Sequence, residues 1–242
     1  MPNGPSSEHK EYDGFDLESL EDLVQYQDWV VSHFRKTVSD TVLELGAGSG
    51  TIANHLIKHS SKLILVEPSA RLVELLNSKF RDYECVEISE TTLEGYLSEA
   101  SDSSIDNIIM VNVLEHIKED NSAITQMLRV LRPGGNLNIM VPAMPFLMSK
   151  MDRRLGHFRR YRLQPLTLMV RAAGFQITDA RYMDFFGILP WWIINTVAGQ
   201  IEFNPALVRI YDRFFVPFGR WLECLIRPPV GKNIILVATR PS

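Results

Sequence analysis

The stretch Val42 to Gly50, VLELGAGSG, sets an acid and three glycines where an apolar run meets helix-forming residues. Glycine allows a tight turn and lets a ligand approach bare backbone at a helix N-terminus. Spacing excludes two phosphate-binding motifs. A nicotinamide fingerprint needs glycine at the sixth position from Gly46, where Thr51 stands, and a P-loop needs a following Gly-Lys-Ser/Thr. About 20 residues on, LILVEPS ends in Glu67 and Pro68, where a carboxylate can accept both ribose hydroxyls of an adenosyl ligand. The same acid could instead cap a helix beginning near Ser69. Glu44 is out of place beside a pyrophosphate but suits a cationic or amino-bearing ligand, and S-adenosylmethionine carries both a sulfonium and an ammonium.

Two histidines are candidate general bases, because an unperturbed imidazole titrates near 6.5. His116 follows Leu114 and Glu115, and it could equally be a hydrogen-bonded residue that fixes a loop. His157 lies in MDRRLGHFRRYRLQPL with Arg159, Arg160 and the phenol of Tyr161. Paired arginine forks can grip a phosphate or carboxylate, or they can pair with Asp152 or Asp184. Charge is uneven along the chain. Six basic residues face one acid from Lys150 to Gln164, and five face two from Arg209 to Lys232, although the net charge is −4. Such segregation points to a local anionic partner or to salt bridges with the acidic remainder. Between them lies the longest uncharged stretch, 17 residues containing Phe185, Phe186, Trp191 and Trp192. It is short and polar-interrupted for a membrane span, which takes about 20 apolar residues. Those aromatics would fasten a helical lid, line an apolar pocket or touch a lipid surface.

Short apolar runs position these residues. Thr41–Leu45, Leu63–Val66, Tyr83–Ile88, Ile105–Val111, Asn136–Val141, Phe175–Tyr182 and Ile234–Thr239 read as strands. Helical patterns fall at about Leu17–Lys36, then Gly50–His59, Ala70–Phe80, Leu93–Glu99, Asn121–Leu131 and Gln164–Ala173, the last closed by Gly174. Near-continuous apolar strands alternating with helices predict a doubly wound α/β sheet covered on both faces. Residues 16–182 and 233–242 would form that domain, residues 1–15 a loose terminus, and residues 183–232 a helical, aromatic-rich insertion between the last two strands. Cys85 and Cys224 stand 139 positions apart and match no ligand spacing, so no metal centre is expected. The polar start, Met1 to Gly14, shows no secretory signal, which predicts a reducing cytoplasmic setting.

Taken in order, VLELGAGSG, LILVEPS, IDNIIMVNVLEHI and LRPGGNLNIMVP resemble the class I S-adenosylmethionine-dependent methyltransferases. The segment Met151 to Leu166 looks like the D-x-x-L-G-H-x-R-R-Y signature of a bacterial subgroup, often associated with sugar, glycolipid or secondary-metabolite pathways. The resemblance implies a seven-stranded, mostly parallel sheet whose last strand is antiparallel. By position, Glu44, Gly46, Ala47 and Gly48 would line the methionine and sulfonium side. Glu67 and Pro68 would flank the ribose, Ser89 the adenine, and Asn112 and Leu114 the cofactor after the fourth strand. Ser89 departs from the acid usual there. His157, His116 and Tyr161 would serve catalysis, and Arg159, Arg160, Trp191 and Trp192 would contact the acceptor. The expected reaction carries a methyl group to an O or N acceptor, small or lipid-linked and anionic or amphipathic, leaving S-adenosylhomocysteine. A catalytically silent partner subunit is the alternative. Nucleic acid is not an expected partner, for no basic appended domain and no Asn/Asp-Pro-Pro-aromatic run is present. Contact with the inner membrane face and a monomeric or homodimeric state complete the expectations.

Overall fold

A computed structural model describes residues 23–202 and 204–242. The expected loose terminus, residues 1–15, and the first turns of the helix expected from Leu17 lie outside the described residues. In chain order the elements are α1 (Val24–Phe34), β1 (Thr41–Leu45), α2 (Ala53–Leu56), β2 (Lys62–Glu67), α3 (Ala70–Phe80), β3 (Val86–Glu90), α4 (Leu93–Glu99) and β4 (Ile105–Val111). They continue with α5 (Asp120–Val130), β5 (Leu131–Pro142), α6 (Lys150–Arg154), α7 (Leu163–Ala172), β6 (Gln176–Met183), α8 (Ile188–Trp191), α9 (Pro205–Ile210), α10 (Val216–Leu225) and β7 (Asn233–Thr239).

The sheet order is β3-β2-β1-β4-β5-β7-β6, with β7 antiparallel to both β5 and β6 and the other pairings parallel. Residues on the central strands are buried on both faces. Leu43, Leu45, Ile108, Met110 and Ile139 pack towards α4, α5 and α7, while Val42, Leu63, Leu65, Ile109 and Ile235 pack towards α1, α2 and α3. That double burial is why β1, β2 and β4 read as continuous apolar runs. The edge strands β3 and β6 carry Glu87, Glu90, Asp179 and Arg181 at exposed or half-buried positions, charges that discourage further strand pairing.

Boundaries differ where local geometry overrides the apolar pattern. The helix expected over Gly50–His59 shrinks to α2, because Gly50 has φ +75° and cannot continue a right-handed helix. The strand expected from Tyr83 starts at Val86, because the Tyr83 N–H closes the end of α3 on the Phe80 carbonyl. Between β6 and β7 the chain carries α8, α9 and α10. α8 runs on through a wide-turned segment, Trp192–Val197, and α9 joins α10 through another, Tyr211–Phe215. Asp212 anchors this insertion, accepting the N–H groups of Gln25 (3.1 Å) and Tyr26 (2.9 Å) at the start of α1.

Chain order reverses at β1 and β4, which lie side by side while their crossovers lead to opposite edges, and ligands in open α/β sheets bind outside the strand ends at such a point. Replacing Ile108, fully buried on β4, by alanine is expected to cost about 2–5 kcal/mol in urea unfolding. Leu168→Ala, exposed on α7, should stay within about 0.5 kcal/mol.

Candidate active site

A cavity of about 850 Å³ opens at the switch point, lined by Glu44, Gly46, Ala47, Gly48, Glu67, Pro68 and Asn112 at one end. The turn after β1 needs its glycine. Gly46 sits at φ +71°, and a Cβ there would lie 2.5 Å from Val113 Cγ2. The N–H groups of Gly46 and Ala47 donate to the Val66 carbonyl at 2.8 and 3.1 Å, tying the turn to β2. Glu67 ends β2 and accepts the Gly48 N–H (2.9 Å) on one oxygen and the Ser69 N–H (3.0 Å) on the other. Burial pushes its pKa up, opposed by those two bonds.

Glu44 is 3% exposed, and its Oε2 has no hydrogen-bond partner. Burial first, and then the charge of Glu67, raise its pKa to about 8 despite Lys79 nearby. An orphaned buried carboxyl facing a cavity is an acceptor for a cationic ligand. Asn112, at φ +55°, also borders this end. Leu114 does not: it is fully buried beneath in the core, and Ser89 on β3 lies outside the cavity. Both expected contacts are therefore corrected. Thr92 and Leu93, just beyond β3, line the cavity in that neighbourhood.

At the cavity's other end the segment 151–166 is held by two carboxylate hubs, Asp152 within it and Asp120 on α5. Asp152 is wholly buried and accepts from Arg160 Nε (2.9 Å) and Nη2 (2.8 Å), from the Ser149 N–H (2.8 Å) and from Ser149 Oγ (2.7 Å). Its remaining bond joins Oδ1 to His157 Nδ1 at 2.9 Å. Burial opposes its charge, but the bonds from His157 and Arg160 outweigh that and hold its pKa at about 2. The second hub is Asp120, which accepts from Arg159 Nη1 (2.8 Å) and the Tyr161 hydroxyl (2.9 Å). Gly156, at φ +82°, makes the bend that returns His157 to Asp152.

These hubs sort the expected residues. His116, His157 and Arg160 line the cavity, whereas Arg159 and Tyr161 do not. The single proton of the Tyr161 hydroxyl is shared between Asp120 and the Leu114 carbonyl, 3.1 Å away, and burial with Asp120 pushes its pKa far up, so it serves as a tether rather than an acid or base. The arginine pair is likewise no open anion clamp, since each fork already holds an aspartate. Trp191 lines the cavity under the Arg160 guanidinium, 4.6 Å from its ring, while Trp192 is 43% exposed and outside it.

His116 packs edge-to-face on His157 with ring centroids 4.7 Å apart, and burial lowers its pKa to about 4, so it is neutral at pH 7. Glu115 is fully buried with neither carboxyl oxygen hydrogen-bonded, and burial raises its pKa to about 8. Its Oε1 stands 3.8 Å from His157 Nε2. One ligand atom from each of Glu115, His116 and His157 falls within 4.8 Å of the others, a grouping that cysteine spacing could not reveal. A further polar group went unread in the sequence. Lys232 pairs with Asp184 at 2.9 Å and lies over the rings of Tyr26, Trp191 and Tyr211, all four lining residues.

A match to the methyltransferase-domain family covers residues 15–180. The chain is 26% identical over 138 residues to an uncharacterised methyltransferase-like protein of Schizosaccharomyces pombe, covering 55% of this chain and 51% of that protein. It is 28% identical over 142 residues to a protein of Mycolicibacterium smegmatis named as a probable S-adenosylmethionine-dependent methyltransferase, covering 57% of this chain and 52% of that one. The chain thus spans about half the length of these relatives. A Haloferax volcanii methyltransferase, solved with the Trm112 methyltransferase activator, shares the fold at a TM-score of 0.66 and 12% identity over 98% of this chain and 100% of that one.

S-adenosylmethionine fits the cradle. Glu67 stands where ribose hydroxyls would be accepted, and the orphaned oxygen of Glu44 would meet the ammonium or sulfonium. Glu44 must lose its proton before it can pair with a cation. Affinity for S-adenosylmethionine should therefore rise with pH below 8, approaching about one log unit per pH unit, and Glu44→Gln should flatten the rise in titration calorimetry. A flat wild-type profile would remove Glu44 from the site. Fold, cradle and sequence match agree: the chain belongs to the class I S-adenosylmethionine-dependent methyltransferase-domain family.

Proposed function

We propose that this chain transfers a methyl group from S-adenosylmethionine to a hydroxyl oxygen on an amphipathic small molecule, sugar or glycolipid, with His157 as the base. The cofactor supplies an already activated methyl on its sulfonium. The protein's part is alignment, worth up to roughly 7–11 kcal/mol in a near-attack geometry, and removal of the acceptor proton. The new O–C bond forms as the S–C bond breaks, sulfur keeps the bonding pair, and the acceptor's proton passes to His157.

One observation carries this reading. Asp152, held ionised by a pKa of about 2, can only accept, so His157 Nδ1 is the donor in their 2.9 Å bond. The bare Nε2 is then left as the acceptor of a proton, as the base role requires. Arg160 keeps Asp152 charged and lends no free charge to an acceptor, while Lys232 is balanced by Asp184. With Leu155, Phe158, Trp191 and Ile194 also lining this end, the cavity suits an apolar body bearing a hydroxyl better than a bare anion. An amine acceptor would use the same base. A chain that works only within a two-protein assembly is the second reading, suggested by the complex of an activator and a methyltransferase of the same fold.

Labelled-methyl transfer into a panel of sugar, lipid and polyketide intermediates, with mass identification of the product, tests the reaction. His157→Ala should lower kcat by about 10²–10⁴-fold and leave S-adenosylmethionine affinity unchanged. Full turnover in that variant would refute the base. Binding of the cofactor without transfer to any acceptor would favour the partner reading.

A further inference from the structure

We propose that the outer face of the insertion helix docks on an anionic lipid surface and opens the cavity towards it. From Pro205 to Leu225 the helix is unbroken, α9 passing through the wide-turned segment into α10. Its inward side is fully used. Tyr211 faces the cavity, Asp212 caps α1, Gly219 packs on Trp29, and Glu223 accepts the Phe185 N–H at 2.9 Å.

The outward side reverses the usual pattern of a surface helix. Leu207, Ile210, Phe214, Phe218, Trp221 and Leu225 recur at three- and four-residue steps, and each is 49–65% exposed. A stripe of that spacing is one face of a helix, and a soluble surface normally fills it with polar residues. No helix among the described residues is long and apolar enough to cross a membrane, so the stripe fits the interfacial plane rather than a span.

Charge decides between occupants. Both acids of this helix, Asp212 and Glu223, are turned inward onto backbone N–H groups, while Arg213 is exposed beside the stripe. A second copy laid on the same face would bring a like charge and no outward acid of this helix to meet it. A layer of anionic headgroups offers both the apolar depth and the countercharge. Leu207 and Ile210 also line the cavity, so the stripe's edge is the cavity's rim, and an acceptor resting in the lipid would enter without crossing water.

Sedimentation of the full chain with phosphatidylcholine vesicles, with and without phosphatidylglycerol, tests the surface independently of any methyl transfer. Binding should be stronger to the anionic vesicles by about fivefold per engaged arginine and should fall with added salt. Phe214→Glu with Trp221→Glu should abolish it, and Arg213→Glu should remove most of the anionic preference, with S-adenosylmethionine binding retained as proof of folding. Absence of binding to either vesicle, or equal binding by the variants, would overturn the proposal. So would self-association lost on Trp221→Glu without vesicle binding, which would assign the face to a second copy.

Discussion

The buried charge of Asp152 organises the end of the cavity lined by His157, Arg160 and Trp191. A carboxylate with no solvent contact is tolerated only when its lone pairs are filled, and Ser149, His157 and Arg160 fill them. The bond to His157 fixes which imidazole nitrogen is free. The bonds to Arg160, whose side chain is 2% exposed, hold its guanidinium over the Trp191 ring, 4.6 Å from the centroid. Trp191 in turn donates its indole N–H to the Leu147 carbonyl at 3.1 Å, so the same charge ties the first insertion helix to the loop after β5. Losing Asp152 would strand a buried arginine and release the His157 ring that lines the cavity.

Three buried acids show how partners, rather than burial alone, set protonation. Asp152 has an arginine and a histidine and stays ionised. Glu44 and Glu115 are buried as deeply, lack such partners, and are held near pH 8. Each of the latter two therefore waits on something brought in from outside. For Glu44 that is a cation in the cradle. For Glu115 it is the charge that His157 would acquire 3.8 Å away on taking a proton. Asp152 is committed to structural bonds, whereas Glu44 and Glu115 keep carboxyl oxygens with no hydrogen-bond partner.

The sheet was legible because a strand buried on both faces leaves a plain trace in sequence, and the helices Ala70–Phe80 and Leu93–Glu99 and the strand Ile105–Val111 match their expected bounds. That Glu44, Gly46, Ala47, Gly48 and Glu67 share one cavity wall was legible for a related reason: they are contiguous or one crossover apart, so spacing carries the geometry. The acceptor side was not. Arg159 and Tyr161 read as site residues, yet both are turned away by Asp120, some forty positions earlier. Tyr26 meets Asn233 across 207 positions, and Lys232 meets Asp184 through the insertion, pairings that no local pattern encodes. Arginines near a histidine signal an anion site only while their own acids remain unseen.

The tautomer of His157 decides the account most directly. In histidine-labelled protein, long-range nitrogen–proton NMR at neutral pH should show the His157 ring protonated on Nδ1 and bare on Nε2, with Asp152→Asn erasing that preference. A wild-type ring carrying its proton on Nε2 alone would leave His157 no free nitrogen to take the acceptor's proton and would contradict it.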